Sequence, residues 1–158
     1  MPKFSLQSVL DYRHSRVEVL EVELGRLNQL RQEKLDAIAQ NIANQERAYH
    51  QMGVYQSGDI DLLAVQQTQR YLSSLFVQLK KLESELAKLE ERIESKRLEV
   101  VQAKKDEAVL ENLREREIMV FKEKLFMQEK QQQDDIYTSK EHFKTRETKS
   151  SQDEEIVV

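Results

Sequence analysis

Three histidines, His14, His50 and His142, and the carboxylate pair Asp134-Asp135 are the residues whose types could do chemistry in this chain. Imidazoles can ligate a metal or move a proton, and adjacent carboxylates can share a proton or a cation. Either use requires the groups to converge on one point. The absence of Cys removes a thiolate nucleophile, a thiolate metal site and a disulfide framework, and it fits a reducing cytosol. Gly53 and Gly58 flank Val-Tyr-Gln-Ser and match no phosphate-cradling spacing. Whether any of these residues act together depends on the elements that hold them.

The chain has 158 residues, of which 34% are charged, 39% hydrophobic and 6% aromatic, with three Gly and one Pro. So few turn formers cannot punctuate the many turns of a globule, and a composition rich in Glu, Lys, Leu, Arg and Gln is that of a coiled coil. A net charge of −4 gives no basic footprint for nucleic acid and no polybasic membrane signal. No apolar run approaches the roughly 20 residues that span a bilayer, so no direct membrane insertion is expected. The opening MPKFSLQSVLDYR lacks the apolar core of a signal peptide, and a cytoplasmic location is expected.

The apolar pattern resolves into two helices. The first is expected over about 5–52, capped by Ser5 and stapled by Phe4 and Val9. Its seam runs Leu6, Leu10, Arg13, Val17, Leu20, Leu24, Leu27, Arg31 in alternating steps of four and three, the period of a coiled coil. After Arg31 the apolar residues shift to Leu35, Ile38, Ile42, Gln45, Tyr49 and Met52. That reads as a stutter, with a bend or loosened contact expected near residues 25–35, next to Gly25. A connection over 53–58 follows, with Gly53 ending the first helix and Asp59 capping the next, where Asp61 suits the positive helix end. The second helix, about 59–140, carries Leu72, Leu75, Leu79, Leu82, Leu86, Leu89, Ile93, Lys96, Val100, Ala103, Glu107 and Leu110 without a stutter.

The fold expected is therefore all-α: a long two-helix antiparallel coiled-coil hairpin over 1–144, with an extended C-terminal helical overhang and a flexible polar tail over 145–158. Folding at residues 55–56 sets residue i opposite about residue 111 − i, so the first helix runs out where the strong seam ends. Beyond Leu110 the patchy apolar face of Leu113, Val120, Phe121, Leu125, Phe126 and Met127 has no internal partner. In a hairpin His14 and His50 lie about 50 Å apart, too far to share an ion. Asp134-Asp135 is expected as solvated surface charge. No enclosed pocket, no metal, no cofactor and no enzymatic activity are expected. Tyr49, Tyr55 and Tyr71 gather at the loop end, either closing the tip or forming a contact patch.

Five stretches then become informative together: FSLQSVLDYR at the start, the heptad pair around a short Gly-containing turn, RYLSSLFVQLKKLESEL after it, AKKDEAVLENLREREIMVF, and QEKQQQDDI near the end. In order and spacing, over most of the chain, they resemble the FliJ family of the bacterial flagellar type III export apparatus. Asp134-Asp135 departs from the Asp-Glu often found there. The resemblance implies a non-enzymatic stalk, like the central shaft of rotary ATP synthases, peripherally associated with the cytoplasmic face of the membrane. It implies three partners: the export ATPase hexamer, the cytoplasmic domain of the export-gate membrane protein, and export chaperones. The gate contact would fall on the tip, at Ile38, Ile42, Gln45, Tyr49, Tyr71 and Leu75, with Gln45 where an aromatic can occur. The ATPase contact would fall on the open end, at Phe4, Leu10, Leu113, Val120 and Phe121. The chain is expected to be a monomer on its own. The alternatives are a stalk of a virulence-type secretion system and a generic structural coiled coil.

The seam assignment is testable without any partner. Leu82→Asp or Leu86→Asp places an unpaired charge in the zipper and should lower helicity and melting temperature sharply. An unchanged circular-dichroism melt would show that the seam runs elsewhere.

Overall fold

The computed structural model describes residues 3–156. Two helices make it up, α1 (Gln7–Gln56) and α2 (Leu62–Ile156), and the described residues hold no strand. The chain is all-α. Its contacts group it into two compact units, Asp11–Glu107 and a second made of Leu10 and the residues before it with Ala108 onward.

Within Asp11–Glu107 the helices are antiparallel, and ion pairs nested around the connection set their register. Arg31 Nε lies 3.4 Å from Glu90, Lys34 Nζ 2.6 Å from Glu85, Lys96 Nζ 2.9 Å from Glu23 and Lys104 Nζ 2.6 Å from Glu21. Nearer the open end, Arg13 donates to the Asp106 carbonyl at 2.6 Å, and His14 Nδ1 is 2.6 Å from Glu107. The sign alternates along α1, positive at Arg13, negative at 21–23, positive at 31–34, and α2 carries opposite charges near each level. A fold at residues 55–56 would have set Glu23 opposite Lys88; the structure sets it opposite Lys96.

The register differs because the connection does. Helix α1 passes through Gly53 and continues to Gln56, keeping Met52 and Tyr55 partly buried on the seam. A glycine inside a long helix costs only about 1 kcal/mol, less than seam packing returns. The turn lies at Ser57–Asp61. The Ser57 amide donates to the Val54 carbonyl at 3.2 Å and its hydroxyl to the same oxygen at 2.9 Å. Gly58 takes φ 73°, the left-handed region where a side chain would be strained. Asp61, not Asp59, caps α2: its carboxylate accepts from the Ala64 amide at 3.1 Å.

The expected stutter is also absent. Burial shows that α1 keeps one heptad frame throughout: Arg13, Val17, Leu20, Leu24, Leu27, then Lys34, Ile38, Asn41, Gln45, Ala48, Met52 and Tyr55 are buried or partly buried. Polar residues hold the frame between 31 and 45. The apolar residues Leu35, Ile42 and Tyr49 sit one position beside it, which displaced the pattern in sequence. On α2 the expected seam holds and extends back to Thr68 and Val65.

At the other end, α2 continues to Ile156, where a flexible tail from residue 145 was expected. Lys, Glu, Arg and Gln favour helix there, and the hydroxyls fold back onto it. Thr145 donates to the Glu141 carbonyl at 2.7 Å, Thr148 to Lys144 at 3.0 Å and Ser151 to Glu147 at 2.8 Å. Leu110 is the last buried residue of the described chain.

Burial grades the seam leucines. Leu89 is buried at 7% exposure whereas Leu82 is only partly buried. Leu89→Ala should cost about 2–4 kcal/mol in urea unfolding and Leu82→Ala about half that. Equal losses would contradict the graded seam.

Candidate functional site

The expected tip residues divide by their place on the zipper. Glu21, Leu35, Ile42 and Tyr49 recur at whole heptads and so share one flank of α1. Lys104, Glu90 and Phe76 recur in the same way on α2. The Glu21–Lys104 pair shows that these two rows face each other across one flank. Ile42, Tyr49 and Phe76 on this flank are exposed at 44%, 52% and 43%. Tyr71 shares its row with Glu85, whose pair with Lys34 lies on the opposite flank. Tyr71 is therefore separated from Ile42 and Tyr49 by the seam. Ile38 and Gln45 are partly buried within the seam itself. Leu75 is buried with Leu72, Ala48 and Met52 and packs the tip. Phe76 was missed because it follows Leu75 directly, and sequence alone did not show which of the two faced inward.

Asn41 holds the tip flank to α2. Its side-chain amide donates to the Leu75 carbonyl at 3.1 Å, and its oxygen accepts from Gln45 at 2.7 Å. It is buried at 5%, and its hydrogen bonds explain how a polar side chain can sit there.

The unit formed by the N-terminal turn and Ala108 onward holds the other candidates. The Gln7 amide donates to the Phe4 carbonyl at 3.2 Å, and the Leu10 amide to the Leu6 carbonyl at 2.9 Å. Leu10 and Leu110 are both buried at 5%, so Leu10 is a packing residue. Phe4, Ile118 and Phe121 are partly buried, whereas Leu113, Val120 and Leu125 are exposed. Phe121 falls on the continued seam of α2, with Ile118 and Leu125 beside it, an apolar row with little cover.

Nothing in the described residues gathers into a metal cluster, and none of their helices is long and apolar enough to cross a membrane. A shallow groove of about 330 Å³ is lined by Tyr12, Arg13, Arg16, Glu99 and Asp106 among others. Its polar groups largely bond each other: Arg13 donates to the Asp106 carbonyl, and Gln102 donates to the Asp106 carboxylate at 3.0 Å.

An all-α chain with an antiparallel heptad zipper, a Gly-containing turn, and an α2 that outruns its seam matches the family model for the flagellar FliJ protein over residues 2–146. It belongs to the FliJ family. No curated protein and no solved structure matches it. As a FliJ-family member it is a flagellar export-related coiled-coil protein, in a family whose role is structural.

The FliJ zipper carries its own pH dependence. The Lys96 ammonium hydrogen-bonds Glu23 and holds its carboxyl below the usual 4.5, and Lys34 does the same to Glu85. Hydrogen bonds to Glu23 and then Glu99 hold Lys96 above its usual 10.5. A lowered carboxyl pKa gives stability that is present above about pH 4.5 and lost as the pH falls through the folded value; a raised lysine pKa gives stability lost at alkaline pH. The melting temperature should therefore fall on acidification below about pH 4.5, and fall less steeply in Glu23→Gln/Glu85→Gln. Parallel acid profiles for the two proteins would show that these pairs carry none of it.

Proposed function

We propose that this chain is a non-enzymatic stalk of flagellar type III export that engages two assemblies through two different surfaces. The export-gate cytoplasmic domain docks on the tip flank that displays Ile42 and Tyr49. The export ATPase hexamer takes the N-terminal turn and the α2 row around Phe121, and export chaperones are carried by the same protein. The chain works at the cytoplasmic face of the membrane, held there by its partners.

The observation that carries this reading is the place of exposed apolar side chains. A two-helix zipper covers one stripe of each helix, and scattered apolar residues outside it are ordinary. Here they recur in register: Ile42 and Tyr49 are exposed a heptad apart on one flank, with the partly buried Leu35 a heptad before them, and along α2 beyond Leu110 the exposed Leu125 follows the partly buried Ile118 and Phe121. Apolar residues kept at helical spacing outside a seam suit helix-face recognition by another protein.

Binding should separate the surfaces. Ile42→Ala/Tyr49→Ala should weaken binding to the purified gate domain about tenfold or more with an unchanged thermal melt. Tyr71→Ala, across the seam, should change it little. Val120→Ala/Phe121→Ala should instead weaken binding to the ATPase ring. Calorimetry in which the tip double variant binds the gate domain as tightly as the parent would sink the tip assignment.

A further inference from the structure

Burial along the zipper is interrupted in its interior. Toward the open end Val17, Leu20 and Leu27 are buried with Leu89 and Val100. Toward the tip Ala48 is buried with Leu72 and Leu75, and Met52 packs on them. Between these two stretches no apolar side chain of the described residues is buried, either from Leu27 to Ala48 or from Leu75 to Leu89. The gap falls at the same level on both helices.

Its cause is a mismatch of seam chemistry. Helix α2 brings Leu79, Leu82 and Leu86, all only partly buried, while α1 brings Arg31, Lys34, Asn41 and Gln45 to the facing positions, with Ile38 between them as its one apolar seam residue there, also only partly buried. In place of fully buried apolar side chains, the helices meet there through the Arg31–Glu90 pair at 3.4 Å, the Lys34–Glu85 pair at 2.6 Å and the Asn41–Leu75 bond at 3.1 Å. The Arg31 and Glu90 side chains are 47% and 50% exposed, and water competes for such pairs, so they hold two helices together weakly. A half-buried leucine facing a cation likewise contributes only part of its transfer free energy.

We infer that residues 31–45 of α1 with 79–86 of α2 form a joint in the hairpin, a polar layer between two apolar modules, about which the tip module moves relative to the rest of the hairpin. Both helices run through the joint unbroken, so the motion is a bending and partial parting of the two strands rather than a break in either. Asn41 keeps the joint in register when it closes, because its bond to the Leu75 carbonyl forms in one alignment only. A gate-binding flank that includes Ile42 would lie on the joint itself, so docking there and closing the joint would be coupled; this clause rests on the proposed function, whereas the joint does not.

Amide hydrogen exchange on the full chain tests the joint directly, because helices parted from a partner lose protection. Peptides within 31–45 and 79–86 should exchange about tenfold faster than those within 17–27 and 89–100 on one side and 48–52 and 65–75 on the other. Arg31→Leu/Lys34→Leu/Asn41→Leu, which makes the α1 seam apolar from Leu27 to position 41, should remove that minimum, and Asn41→Leu alone should make it shallower. A parent profile in which protection declines smoothly from the middle of the hairpin outward would overturn the joint. So would a minimum that survives unchanged in both variants. Loss of gate binding in the tip variants bears on the proposed function alone and leaves this profile unaltered.

Discussion

A pair of helices can bury one narrow stripe of each, and every side chain outside that stripe stays in water. In this chain the constraint is acute, because α1 finds its cover on α2 and the described residues hold no third helix. The register of the seam therefore decides which residues are structural and which are available. Register here is set by charge as much as by leucine. Blocks of alternating sign on α1 meet opposite blocks on α2, at Glu21–Lys104, Glu23–Lys96 and Lys34–Glu85. Individually such half-exposed pairs add little stability. Collectively they disfavour a slipped alignment, because a slip sets like charges opposite each other.

Once the register is fixed, the rest follows from length. Helix α1 is far shorter than α2, and burial on α2 stops at Leu110. The residues beyond stay helical through intrinsic propensity and through hydroxyls that bond back along the helix, with every described side chain after Phe121 exposed. This chain thus holds a zipper that stabilises itself and a run of helix whose apolar row has little cover.

Much of this was legible in the sequence, since heptad spacing states the architecture almost without interpretation. The α2 seam from Leu72 to Leu110, the antiparallel return and the uncovered residues after Leu110 all follow from it. What sequence could not supply was the place of polar residues. Lys34 and Asn41 occupy seam positions, but their types argue against burial, so the apolar pattern drew the seam onto Leu35, Ile42 and Tyr49. Only the ion pair to Glu85 and the bond to Leu75 reveal why Lys34 and Asn41 belong inside. Gly53 and Gly58 were equally plausible turn residues by type, and φ separates them, since only Gly58 needs the left-handed conformation. The shift of the turn moved the whole register, and the α1 frame through Lys34, Asn41 and Ala48 left Tyr49 beside the seam, on the flank opposite Tyr71.

The register is the claim on which all of these assignments stand, and the absence of native cysteine allows it to be measured cleanly. Leu20 and Val100 are buried at the same level of the zipper, at 3% and 6% exposure, and Ile93 lies one heptad from Val100. In Leu20→Cys/Val100→Cys a short thiol cross-linker should close an intramolecular bridge in high yield, and in Leu20→Cys/Ile93→Cys it should close one poorly. Efficient bridging to position 93, or cross-linked dimers in place of cross-linked monomers, would contradict the account.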